Sequence, residues 1–168
     1  SFTFLPHPTV PHEQSVFSTR NDFYLGKQHR LVFGEVLTCG RKLNGESFLF
    51  SKFHSYTRIF INRQIVISEN LLMQPGLISP AAIGQLEGYS HQASMVILDH
   101  QLRVKEAQEQ LVDLLKKSDK ITGGITVAPV NGLLIRLLGQ GAEPLYQMLL
   151  QIERKICSCT LETVNSKL

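Results

Sequence analysis

Between Glu35 and Glu46 the chain runs Glu-Val-Leu-Thr-Cys-Gly-Arg-Lys-Leu-Asn-Gly-Glu, and this stretch constrains what can flank it. Leu31 to Thr38 is an apolar, β-branched run carrying one acid, and Ser47 to Ile61 resumes as a strand, so Gly40 to Glu46 is expected to be a tight hairpin connection between the two. Gly40 and Gly45 supply the positive φ or close backbone approach that such a turn needs. Arg41 and Lys42 sit between the glycines, with Glu35 and Glu46 just outside. Pairing around the turn would bring the two carboxylates together and let Arg41 clamp one of them through its planar fork of donors. Glu35 stands out because a carboxylate inside an otherwise apolar strand is costly unless it is paired or used.

The rest of the chain reads as short strands broken by turn residues, followed by two helices. Gln14 to Thr19 and Phe23 to Leu25 are expected strands separated by the turn-rich Arg20-Asn21-Asp22. Tyr56 to Ile61 and Ile65 to Ser68 flank Asn62-Arg63-Gln64 as a second hairpin. Tyr89 to Leu98 alternates in strand fashion and places His91 on its less polar side, where a hydrogen-bonded core histidine is the expected role. From Leu102 to Lys117 apolar residues fall at Val104, Ala107, Leu111, Leu114 and Leu115, one face of an amphipathic helix. Ile121 to Ala128 and Gly132 to Leu138 flank an Asn131-Gly132 pair, a strong hairpin signal. A last helix starts at Pro144, with Leu145, Met148, Leu149, Ile152 and Ile156 as its stripe.

At 168 residues the chain suits one domain, since about 68 to 70% of the unfolded surface is buried at this size. A net charge of +3 with scattered Lys and Arg gives no electrostatic footprint for nucleic acid. Three cysteines, one isolated at Cys39, point to a reducing compartment, hence cytoplasm, rather than to a disulfide framework. No apolar run approaches the roughly 20 residues of a membrane span. Cys157-Ser158-Cys159 is a weak soft-metal signal without a nearby histidine. A Gly-rich phosphate loop and a nucleophile elbow are both missing from the sequence.

Four separated stretches resemble one family in order: Phe4-Leu5-Pro6-His7-Pro8 with Val10-Pro11; the acid, Gly-Arg and Gly-Glu of Glu35, Gly40-Arg41 and Gly45-Glu46; Gly88-Tyr89-Ser90-His91; and Gly141-Ala142-Glu143-Pro144-Leu145. Together they resemble the urease accessory protein UreD, called UreH in some bacteria. The resemblance implies a mainly β, α+β fold of layered antiparallel strands with a β-helix-like body and helices near 102–117 and 144–158. It also implies a single UreD-like domain lacking an N-terminal block of strands that members carry. The implied role is non-catalytic: a nickel-insertion scaffold that binds UreF, which carries the GTPase UreG, and presents the assembly to apo-urease, with nickel bound only transiently. On the matching positions Glu35, Arg41 and Glu46 would be metal-passage or docking residues, Gly40 and Gly45 structural turn residues, and Leu145, Met148, Leu149 and Ile152 partner contacts. Two other readings remain open. One is a hydrolase using Glu35 and Glu46 as a carboxylate pair; the other is a β-rich interaction module without a metal role.

Overall fold

The computed structural model describes the backbone of residues 1–165 and the side chains of residues 1–157. In chain order the elements are β1 (Phe2–Phe4), β2 (Val16–Leu25), β3 (Arg30–Leu37), β4 (Lys52–Ile61), β5 (Gln64–Met73), β6 (His91–Asp99), α1 (Val104–Lys116), β7 (Ile121–Val127), β8 (Gly132–Gly139) and α2 (Ala142–Asn165). The strands form a five-stranded sheet in the order β1-β3-β6-β8-β7 and a three-stranded sheet in the order β2-β4-β5. This is an α+β fold, mostly strand with two helices.

Strand alternation produces three layers. Val32, Val36, Ala93, Met95, Ile97, Leu133, Ile135 and Leu137 point from the five-stranded sheet toward the helices, where Leu111, Leu145, Leu149 and Ile152 meet them. The intervening residues Leu31, Phe33, Val96 and Leu98 point the other way, onto Ile59 and Ile67 of the smaller sheet. The larger sheet is therefore covered on both faces, which is why β3 and β6 read as nearly continuous apolar runs. Among the described residues no helix is long and apolar enough to cross a membrane.

Pairing is mixed rather than antiparallel throughout. β1 pairs with β3 and β2 with β4 in parallel, while the remaining pairs are antiparallel. From β1 to β4 the chain passes alternately between the sheets, so these strands coil in the manner of a β-helix. The later strands form the expected hairpins. Ile61 pairs with Gln64 across a two-residue loop in which Asn62 and Arg63 have φ of 50° and 66°, the left-handed pair that a tight hairpin turn uses. The loop through Asn131 joins β7 to β8.

Three expectations are corrected. Gly40 to Glu46 is not a hairpin: β3 already has β1 and β6 as neighbours, so the chain leaves it for the other sheet and continues as β4. A short 3-10 turn, Lys42–Asn44, lies on this crossing. Gly40 and Gly45 do have positive φ, 120° and 81°, and a side chain at Gly40 would also press on the Pro11 carbonyl oxygen at 3.1 Å. Arg20-Asn21-Asp22 does not break β2, because β2 is an edge strand and its polar side chains find partners on β4. Arg58 grips Asp22 with two bonds of 2.8 Å, and Asn21 donates to Thr57 Oγ1 at 3.2 Å. Finally, the α2 stripe belongs to the core. Leu145, Met148, Leu149 and Ile152 are 0 to 6% exposed, so none of them offers a partner an open surface.

Candidate functional site: a polar layer between the sheets

The register of both sheets builds the site. Glu35 on β3 pairs with Ser94 on β6, and Ser94 pairs with Arg136 on β8. Opposite them, Asn21 on β2 pairs with Thr57 on β4, and Thr57 pairs with Glu69 on β5. Two polar rows thus face one another across the inter-sheet space. Two residues along each strand in one direction the lining turns apolar with Phe33, Phe23, Ile59 and Ile67. In the other direction Leu37, Phe53, Leu71 and Met73 close it. The polar layer is therefore a slot cut across an apolar sandwich.

A cavity of about 100 Å³ occupies this slot, lined by Glu35, Ser55, Thr57, Glu69, Asn70, Leu71, Gln92, Ser94 and Arg136. Its walls are polar and roomy enough to hold water. A smaller cavity of about 10 Å³ shares Glu35, Leu71, Gln92 and Ser94 with it and extends toward Thr9. Glu35 borders both cavities. At the other end Arg136 holds Glu69, with Nη2 2.5 Å from Oε1 and Nη1 3.4 Å from Oε2. The Arg136 side chain is half exposed while Glu69 is largely covered.

Glu35 accepts the Ser55 hydroxyl at 3.0 and 3.3 Å on its two oxygens. Burial pushes its carboxyl above the ordinary glutamate range; the Ser55 hydrogen bond opposes that shift, and the Glu69 charge adds to it. Carboxylate, hydroxyl and carboxamide oxygens are ligands for hard and borderline cations. Among the described residues, however, no three His, Cys, Asp or Glu side chains are grouped so as to hold a metal ion.

Arg41 and Glu46 come together, as the spacing suggested, but away from this slot. Arg41 Nε donates to Glu46 Oε2 at 2.9 Å and its Nη2 to Oε1, while the Glu13 backbone N–H donates to Oε2 at 3.3 Å. The pair closes the crossing loop and ties it to the segment before β2. Glu46 and Glu35 thus serve separate constellations, and the carboxylate facing Glu35 is Glu69. The hydrolase reading loses its pair.

The Arg41 hydrogen bonds hold the Glu46 carboxyl below its ordinary range, more than burial raises it. A carboxyl depressed by folding stabilises the fold above its unfolded pKa, and that contribution disappears as pH falls through the folded value. Glu46→Gln should therefore cost stability at neutral pH and cost less as the solution is acidified. Urea midpoints measured from neutral to acid pH check this; a gap that stays constant would remove the ion pair as its cause.

His91 is buried, as its strand position indicated. Its Nδ1 lies 2.7 Å from Ser90 Oγ, and burial, then the Lys42 charge, lowers its pKa. Lys42 donates to Ser90 Oγ at 3.2 Å and to the Gln140 carbonyl at 3.3 Å, fastening the crossing loop to β6 and to the end of β8. Arg30 donates to Cys157 Sγ at 2.8 Å, so that sulfur is engaged locally; the Cys159 side chain lies outside the described residues.

Sequence reasoning missed Glu69 and Arg136. Arg136 gave the same signal as Glu35, one charge in the apolar run Leu133-Leu134-Ile135-Arg136-Leu137-Leu138. Recognising the site required the register that aligns β3, β6 and β8.

Comparison with known proteins bears on this geometry. The sequence model of the UreD urease accessory protein family matches residues 1–165. Urease accessory protein UreD of Flavobacterium johnsoniae is 40% identical over 157 residues, covering 93% of this chain and 57% of that protein. The UreD of Haemophilus influenzae strain 86-028NP is 31% identical over 163 residues, covering 92% of this chain and 60% of that protein. The UreD of Actinobacillus pleuropneumoniae serotype 5b is 29% identical over 143 residues, with 83% and 53% covered. The chain spans between 53 and 60% of the length of these relatives.

Proposed function

Since this chain belongs to the UreD family of urease accessory proteins, we propose that it acts, without catalysing a reaction, as a scaffold for nickel insertion into urease. It binds UreF, through which the GTPase UreG is recruited, and presents the assembly to apo-urease in the cytoplasm. Nickel is its cargo and crosses the slot between the sheets. The observation that carries this reading is a polar layer, holding Glu35 and Glu69, between two apolar layers. Oxygen donors bind nickel more loosely than a set of imidazoles or thiolates would, and loose binding is what a passage requires, since the ion must leave as well as enter. Arg41 and Glu46 support docking by holding the crossing loop, on which Leu43 stands fully exposed. Leu145, Met148, Leu149 and Ile152 act on docking only by seating α2 on the sheet.

Glu35→Gln and Glu69→Gln keep the shape of the slot and remove its charge. In cells whose urease depends on this protein, each should lower urease activation by at least about tenfold, the scale on which losing a metal-site group acts, with urease protein and UreF co-purification unchanged. Glu35→Gln should also leave the protein at least as stable at neutral pH. A carboxyl whose pKa folding raises makes the fold progressively less stable as pH climbs from the unfolded toward the folded value, and glutamine escapes that loss. Full activation by both variants would remove the slot from the path of the metal and leave an interaction module.

A further inference from the structure

Arg136 is the one lining residue of the slot that carries a permanent positive charge, and it is placed where an incoming cation would have to go. It bonds both oxygens of Glu69, and in register it stands across Ser94 from Glu35. The slot therefore already has a cation, supplied by the protein and reaching in from the rim. The Arg136 side chain is 51% exposed against 18% for Glu69, so the guanidinium can swing into water without disturbing the packing of β8, whose neighbouring side chains Ile135 and Leu137 are fully buried.

We propose that Arg136 is a displaceable latch: its guanidinium occupies Glu69 when the slot is empty, and an entering divalent cation takes those oxygens by pushing it out to solvent. The proposal rests on the slot being the path of the cargo. Its consequence is a set affinity. Each ion gains the Glu69 carboxylate and must offset the loss of a bidentate, charge-assisted pair, so binding stays weak and release is assisted by the returning arginine. A monovalent ion gains too little to open the latch, whereas a doubly charged one does so, which makes Arg136 a specificity-determining residue as well as a positioning one.

Equilibrium dialysis of the purified protein against nickel chloride, with sodium chloride as the background salt, tests this. Arg136→Gln should bind nickel about tenfold more tightly, the scale of freeing one carboxylate from a charge-assisted hydrogen bond. Arg136→Lys, which keeps the charge but loses the planar fork, should fall between that variant and the original. The double variant Glu69→Gln with Arg136→Gln should match Glu69→Gln alone, because without the carboxylate there is nothing to latch. A positive charge that only repels the ion would, on removal, tighten nickel binding with or without Glu69, so tightening that vanishes in the Glu69→Gln background is the diagnostic result. Should Arg136→Gln bind no more tightly than the original while Glu35→Gln and Glu69→Gln bind more weakly, the latch is overturned and the slot stands. Equal nickel binding by all of these variants would overturn the slot and the latch together.

Discussion

Truncation immediately before Gly141 should leave no folded β body. The sequence invites the opposite expectation, an amphipathic docking helix that could be removed from an intact sheet. However, Leu145, Leu149, Ile152 and Ile156 of α2 are no more than 1% exposed and Met148 only 6%, and they share one cluster with Val32, Met95, Ile135 and Leu137. Burying each such side chain stabilises by roughly 1.5 to 3 kcal/mol, so the five together are comparable to the whole stability of an ordinary domain, about 5 to 15 kcal/mol. The truncated chain should show neither a cooperative urea transition nor near-ultraviolet dichroism. A milder form of the same experiment is Ile152→Ala, expected to cost about 2 to 5 kcal/mol. If the truncated chain still unfolds cooperatively and has lost only UreF, α2 is a docking element after all.

Gly132→Ala should also be strongly destabilising, although it adds a single methyl group. At this residue the backbone of β8 comes so close to β6 that a Cβ would overlap the Ile97 carbonyl oxygen and lie 2.6 Å from Leu98 Cδ2. Neither group can retreat: Ile97 and Leu98 are fully buried and on a central strand. Overpacking of this kind typically costs about 1 to 3 kcal/mol, and here the obstacle is backbone rather than a flexible side-chain end, so the upper part of that range or more is expected. Gly124 is the control, since a Cβ there meets nothing within 4 Å; Gly124→Ala should be neutral or stabilise by up to about 0.5 to 1 kcal/mol, the ordinary difference between glycine and alanine within a strand. Thermal melts of the two variants decide the matter, and equal melting temperatures would mean that β6 and β8 are not packed as closely as described.

Local features were legible because local physics sets them. The hairpin at Asn62-Arg63, the hairpin through Asn131-Gly132 and the spacing of apolar residues on both helices each depend on a few neighbours in the chain, and each is where the pattern put it. Strand partnership was not legible. β3 is apolar on both faces, so nothing in Leu31 to Thr38 says that its partners are β1 and β6 rather than the next strand along. β2 looked broken at Arg20-Asn21-Asp22 because the compensation lies on another strand, in Arg58 and Thr57. The candidate site lies between these cases. Glu35 was conspicuous as a lone acid in an apolar strand, yet its companions Glu69 and Arg136 are distant in sequence and join it only once two sheets have been paired and stacked. Arg41 and Glu46 were found as a pair because only a loop separates them.

The coiling of β1, β2, β3 and β4 between two sheets also dictates an order of events during synthesis and refolding. Neither sheet can be completed by itself, because each parallel pair encloses a strand of the other sheet. Of the two sheet neighbours of β3, the three-residue β1 precedes it; its long partner β6 and the covering helix α2 come much later. Loop-closure entropy must be spent before such distant pairings return any contact energy, which places chains of this kind among slow folders, in the range of about milliseconds to seconds. Throughout that interval the face of β3 that carries Val32 and Val36 waits for α2, which follows all the strands.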